Sequence, residues 1–200
     1  MSAFLLRLSI LSALLLPSGE SALAQTPLFP EPAVQVRQQD SSLIMDISYQ
    51  VPVPPQEAWA TLTDFENQPA FMPNLEVSRV LQRSGNRLQI EQKGAAKLGI
   101  FSFHYESQRE LEITPYQLIR SHSLSGNIRM ESTLALIPSG TGGTRIAYHV
   151  IAVPNLPLPT SLIASYLSGM LRDQFKAIGR EMLRRTKIAN NSGQQAMALN

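Results

Sequence analysis

The side chains that could do chemistry are few in this sequence of 200 residues, and their spacing matches no common catalytic motif. There is no nucleophile elbow, no phosphate-binding glycine loop and no His-Glu-x-x-His segment. The absence of cysteine excludes disulfides, thiolate metal ligands and a cysteine nucleophile. From motifs we therefore predict no catalytic residue, no metal site and no cofactor.

The histidines do not form a metal-binding pattern. His104, His122 and His149 fall on separate predicted strands, without the short spacing that ligand sets usually show. Alternation along its strand places His104 on the polar face. We interpret all three as ordinary strand residues, and stoichiometric zinc or iron in the purified protein would contradict this.

One arginine lies on the apolar side of a strand. Residues 100–113 alternate, so that Phe101, Phe103 and Tyr105 face one way and glutamates face the other. Arg109 shares the parity of the aromatic residues. Its guanidinium could point inward and bind a ligand carbonyl or carboxylate, or it could reach solvent at the end of the strand.

Aromatic and methionine side chains recur on the predicted inner faces of the strands and helices. They could form an ordinary packed core, or they could line a cavity for an apolar ligand. The predicted ligand-binding residues comprise this set and Arg109. They are Trp59, Phe65, Phe71, Met72, Phe101, Phe103, Tyr105, Arg109, Met130, Tyr148, Tyr166, Met170 and Phe175.

The elements that must position these residues can be read from periodicity. An alternating strand at 43–51 is followed by two short helical segments and then by about six further strands in series. A helix of about 25 residues then begins near Thr160 or Ser161. Consecutive strands favour an antiparallel sheet, so we predict an α+β fold in which a curved sheet of six or seven strands wraps around one long C-terminal helix.

Composition and the chain ends suggest one exported domain. Apolar residues make up 44% of the chain, and a net charge of +2 with basic residues clustered only near the C-terminus argues against nucleic-acid binding. Residues 1–24 resemble a signal peptide cleaved after Ala24, which predicts a periplasmic or secreted protein. An exported protein whose mass begins at Met1 would contradict this. We predict a linker at 25–42, the domain at 43–187 and a flexible tail at 188–200.

A proline-stiffened apolar loop precedes the long helix. Leu156 and Leu158 alternate there with prolines. The two leucines could form a portal that touches a membrane, or they could pack onto the core. Unchanged liposome binding after both are replaced by serine would remove the membrane hypothesis.

The segment 53–75 carries a family resemblance. Val53-Pro54-Pro55-Gln56-Glu57-Ala58-Trp59 leads into Asp64-Phe65-Glu66 and then into Pro69-Ala70-Phe71-Met72-Pro73. This run resembles the START-like superfamily with the helix-grip fold, and within it the coenzyme-Q-binding and polyketide cyclase/dehydrase branch. Gln68 stands where that branch commonly has an aromatic residue.

The resemblance implies a container for a hydrophobic small molecule such as a quinone, a lipid or a polyketide-like compound. A non-catalytic binder or carrier is the leading hypothesis. A cyclase or dehydrase is the second, and it would need an acid or base in the cavity, for which Arg109, Tyr105 and His149 are the candidates. A protein-interaction module on the same fold is the third.

Overall fold

A computed structural model describes residues 30–98, 101–140, 142–155 and 160–198. The predicted signal peptide, Leu156 and Leu158 lie outside these residues. The elements are β1 (Ala33–Gln39), β2 (Ser42–Val51), α1 (Pro55–Leu62), a 3₁₀ helix (Phe65–Ala70), β3 (Leu75–Ser84), β4 (Arg87–Leu98), β5 (Phe101–Thr114), β6 (Leu118–Gly126), β7 (Ile128–Pro138), β8 (Thr144–Pro154) and α2 (Thr160–Ala198).

The strands form one antiparallel sheet in the order β1-β2-β8-β7-β6-β5-β4-β3. The curved sheet and the long C-terminal helix confirm the predicted α+β helix-grip fold, with the two short helices after β2. The described residues contain eight strands, where the sequence predicted six or seven. Short connections between consecutive strands from β3 to β8 produce this meander.

The additional strand corrects the predicted linker. Residues 33–39 form β1, which pairs with β2 from Ala33↔Ser48 to Gln39↔Ser42. Val34 and Val36 are half-buried against the core, while their neighbours are exposed. Two alternating valines after a proline-rich stretch are a short apolar pattern, which is why composition favoured a linker at 25–42.

The predicted tail is also corrected, because α2 runs for 39 residues to Ala198. The described side chains from Lys187 to Ser192 are exposed, so this stretch of the helix buries no apolar face. Once a helix has formed, each further residue adds one backbone hydrogen bond, and no proline interrupts α2 in this segment. The Ser192 hydroxyl donates to the Ile188 carbonyl at 3.0 Å within this segment.

The inner face of the sheet follows from alternation along the strands. On β2, Leu43, Met45, Ile47, Tyr49 and Val51 are buried. Where α2 crosses this face, Gly179 allows close approach, since a Cβ there would lie 2.4 Å from the Tyr49 hydroxyl. The middle of the helix, around Gly179, therefore packs directly on the sheet.

Candidate functional site

A cavity of about 290 Å³ lies between the inner face of the sheet and the N-terminal half of α2. Strands β2 and β4–β8 supply one side, and the 3₁₀ helix with the start of β3 supplies another. The exposed residues His104 and Glu106 lie at its rim. A volume of this size is near the lower end of the range for small-molecule sites.

Most of the cavity surface is apolar. Strands β2 and β8 contribute Leu43, Met45, Val150 and Ala152, all of which face inward by alternation. The helix contributes side chains at a spacing of three or four residues, which keeps them on one face. These are Ile163, Tyr166, Leu167, Met170, Leu171, Gln174, Phe175 and Ile178.

Two hydrogen-bonded glutamine side chains, Gln68 of the 3₁₀ helix and Gln92 of β4, form a polar part of this surface. The Gln68 side chain donates to the Leu62 carbonyl at 3.1 Å, and its own carbonyl accepts from the Gln92 amide at 2.8 Å. The Gln92 amide also donates to the Ser78 hydroxyl at 3.2 Å. The Gln92 carbonyl oxygen is thereby directed toward the cavity, where it accepts from Arg109.

Arg109 lines the cavity, which is one of the two orientations that its parity left open. One terminal nitrogen donates to the Gln92 carbonyl, and the other lies 3.7 Å from the Met130 sulfur, a weak acceptor. Its Nε is buried and has no hydrogen-bond partner among the described residues. The guanidinium is thus held in place by neutral groups and keeps unused donors.

Tyr105 also lines the cavity, and its hydroxyl forms a structural hydrogen bond. Its hydroxyl donates to the Asn74 carbonyl at 2.8 Å, and Asn74 itself has a positive φ of 65°. Gly94 makes room for this contact, because a Cβ there would lie 2.0 Å from the Asn74 oxygen. Burial raises the pKa of Tyr105 to about 12, so the phenol stays protonated at neutral pH.

Charged residues join α2 to the 3₁₀ helix outside the cavity. Arg185 donates to Asp64 at 2.7 Å and to Glu181 at 2.8 Å, and its guanidinium lies 5.7 Å from the centre of the Phe71 ring. Arg184 also binds Glu181. Hydrogen bonds from Arg184 and Arg185 lower the pKa of Glu181 to about 2. This group holds the helix against the segment that forms one side of the cavity.

Ten of the predicted ligand-binding residues line the cavity. They are Phe65, Met72, Phe103, Tyr105, Arg109, Met130, Tyr148, Tyr166, Met170 and Phe175. Two do not: Trp59 packs against Tyr116 with ring centroids 5.8 Å apart, and Phe71 faces Arg185 and a shallow cleft beside α2. The side chain of Phe101 lies outside the described residues.

Several uncharged polar residues of the cavity were not among those predicted. Gln68, Gln92, Ser121 and Ser132 all line it, and the two serine hydroxyls are 2.8 Å apart. Signals for two of them existed in the sequence. Gln92 shares the parity of the buried Leu88 and Ile90, and Gln68 departs from the aromatic residue of the family motif.

The histidines lie away from the interior of the cavity. His104 and His122 are exposed, and His149 sits on the outer face, 2.6 Å from an Asp46 oxygen. The described residues contain no group of three or more His, Cys, Asp or Glu side chains that could hold a metal ion. Within the same part of the chain, no helix is long and apolar enough to cross a membrane.

Solved structures share this architecture at low sequence identity. An aromatase/cyclase from Streptomyces sp. R1128 is 12% identical, with a TM-score of 0.60 over 72% of this chain and 96% of that one. A STAR-related lipid transfer protein from Xanthomonas axonopodis is also 12% identical, with a TM-score of 0.61 over 76% of this chain and 99% of that one. A protein from Thermus thermophilus is 19% identical, with a TM-score of 0.63 over 71% of this chain and 98% of that one.

No curated protein matches the sequence. The family model described as polyketide cyclase/dehydrase and lipid transport matches residues 51–178, from the end of β2 to the middle of α2. This match covers more than half of the chain and includes the elements that line the cavity apart from β2. The family and the fold together suggest binding of a hydrophobic ligand or lipid transport. The chain belongs to the polyketide cyclase/dehydrase and lipid-transport family.

Proposed function

We propose that this protein binds and carries an apolar small molecule in the cavity between the sheet and α2. The observation that supports this most directly is the cavity of about 290 Å³ with a largely apolar lining. Burial of an apolar ligand there would contribute roughly 25 cal/mol per Å² of surface removed from water. The polar side chains at one end would set its orientation.

The cyclase hypothesis would need a proton donor or acceptor inside the cavity. Of the candidates from the sequence, His149 lies on the outer face beside Asp46. Tyr105 donates its hydrogen bond to Asn74, and its raised pKa makes it a weak acid. Arg109 remains, and a guanidinium is protonated at all working pH values. These positions favour binding over catalysis as the proposed role.

The interaction-module hypothesis would be favoured by an exposed apolar patch over a filled interior. The interior contains a cavity instead. The large exposed apolar residues of the described part lie on several separate elements and are Leu81, Tyr116, Leu124, Ile151 and Ile188. Their scatter supports the ligand-binding proposal.

The proposal extends to two features that rest on the sequence alone. We place the function outside the cytoplasm, on the strength of the signal-peptide pattern that ends at Ala24. We also propose transient membrane contact by Leu156 and Leu158, through which a ligand would reach the cavity.

Filling the cavity tests the binding proposal. We expect Met170→Trp to weaken binding of the neutral dye N-phenyl-1-naphthylamine at least tenfold, because the indole would occupy space beside the ligand. Fluorescence titration measures this. Ile188→Trp is the matched control, since Ile188 is exposed on the same helix. Equal affinity in the two variants, or no dye binding by the unmodified protein, would contradict the proposal.

A further inference from the structure

Arg109 is a cation in the cavity without a carboxylate partner. No described carboxylate lies within 4.0 Å of its guanidinium. Among the cavity-lining residues the one carboxylate is that of Glu106, which is exposed and lies 3.7 Å from Lys93. The positive charge of Arg109 is therefore not neutralised by the protein side chains around it.

Such an arrangement is costly unless something else supplies the negative charge. A guanidinium is a permanent cation that can only donate hydrogen bonds. Taking an ion out of water without an opposite charge is unfavourable, and a neutral amide offsets this only in part. The buried Nε–H of Arg109 also lacks an acceptor. An oxyanion beside Arg109 would satisfy both the charge and the donor.

The other cavity-lining residues limit which kind of molecule can carry that oxyanion. Arg109 is the one Lys or Arg side chain among the described residues that line the cavity, so a single negative charge matches it. A planar carboxylate suits the forked donors of a guanidinium. The rest of the ligand must be apolar, because leucine, isoleucine, valine and methionine side chains form most of the surface.

We infer that the cavity takes a molecule with an apolar body ending in a carboxylate, and that this carboxylate binds Arg109. The inference rests on the proposed function, which it narrows to one ligand class. Gln68 and Gln92 act as positioning residues, because their hydrogen bonds aim the guanidinium at the cavity. A phenylalanine at position 68 could not accept the hydrogen bond from Gln92.

The test compares decanoate with decanol, two probes that share a chain and differ in their charge. Each is titrated against protein loaded with N-phenyl-1-naphthylamine, and displacement of the dye reports its affinity. We expect decanoate to bind roughly tenfold to a hundredfold more tightly, as for a hydrogen-bonded charge pair. This preference is measured on the unmodified protein, so it does not depend on whether a variant folds.

Arg109→Met should remove the preference for decanoate, so that the ratio of the decanoate and decanol affinities of the variant falls to about one; the ratio is taken on the variant itself, so a change in its affinity for the dye does not alter the comparison. Arg120→Met is the matched control, because Arg120 is exposed on β6. Gln92→Leu should reduce the preference by a smaller factor through loss of guanidinium alignment. Arg109→Lys should retain part of it, because the charge remains while the forked geometry is lost.

Equal affinity for the two probes would overturn the inference, as would a preference that survives Arg109→Met. In both cases the unmodified protein would still bind the dye, and the proposal of an apolar binding cavity would stand. Failure of the dye itself to bind would overturn the binding proposal and the inference with it.

Discussion

Two consecutive stretches of α2, residues 163–174 and 175–186, meet the same sheet in different ways. In 175–186, Phe175, Ile178 and Met182 are buried, the first two where they also line the cavity, and Gly179 lies against the Tyr49 ring. In 163–174, Tyr166 and Met170 are only partly buried and face the cavity. We call 175–186 the filled half and 163–174 the hollow half of this packed part of the helix.

The difference follows from what the sheet presents to each half. Opposite the filled half, Tyr49 packs edge-on to Phe175 with ring centroids 6.3 Å apart. Around the hollow half the strands carry small side chains, among them Ser121, Ser132 and Ala96. Small residues leave space that the helix side chains do not reach. The cavity therefore depends on the side chains of both the sheet and the helix, and the amphipathic pattern of the helix alone does not create it.

The largest expected difference comes from truncating methionine in each half. Met182→Ala should lower the free energy of unfolding by about 2–5 kcal/mol, because it opens a void at a fully buried site. Met170→Ala should cost less than about 1 kcal/mol, because its side chain already borders a cavity. Urea unfolding monitored by circular dichroism measures both. Equal losses would mean that the two halves are packed alike.

A glycine pair gives a smaller effect of opposite sign. Gly179→Ala should destabilise the protein by about 1–3 kcal/mol, since its Cβ would lie within 3.0 Å of three Tyr49 ring and hydroxyl atoms. Gly169→Ala should stabilise it by about 0.5–1 kcal/mol, because nothing lies within 4 Å and alanine favours the helix. Thermal unfolding of the two variants should shift in opposite directions. A shift of the same sign would break the comparison.

The smallest effect concerns the ion pairs at the end of the filled half. The pKa of Glu181 falls from its ordinary value of 4.5 to about 2 in the folded protein. The carboxylate therefore contributes stability above about pH 4.5, and this contribution is lost as the pH falls toward 2. The unmodified protein should lose more stability between about pH 6 and about pH 3 than Glu181→Gln does, by roughly 1 kcal/mol or less.

Urea unfolding at the two pH values checks the acid dependence. Glu66→Gln is the control, because Glu66 is exposed in the 3₁₀ helix. An identical pH dependence for Glu181→Gln and the unmodified protein would remove Glu181 from the account of how the helix is held.

Much of the fold could be predicted because it depends on local periodicity. The alternation at 43–51 and 100–113 produced strands, and the spacing from Ile163 to Met182 produced the helix. The same alternation placed Phe103, Tyr105 and Arg109 on the inner face, and all three line the cavity. These inferences hold because one buried face dictates the period of the pattern.

The remainder depends on contacts between distant parts of the chain. Gln68 and Gln92 are 24 residues apart, and only folding shows that they meet. Trp59 has the composition of a ligand contact but packs on Tyr116, because α1 presents it to a different surface. Val34 and Val36 form too short a pattern to reveal β1, whose formation depends on pairing with β2.

The first strand has a consequence for any shortened form of this protein. β2 is buried along most of its length, and β1 covers the backbone donors and acceptors on its free side. Glu31, just before β1, also binds Lys176 of α2 at 2.7 Å. A chain cut at residue 43 would present an apolar strand with an unpaired edge, which is a template for pairing with other chains. The segment that resembles a linker thus protects the protein from aggregation.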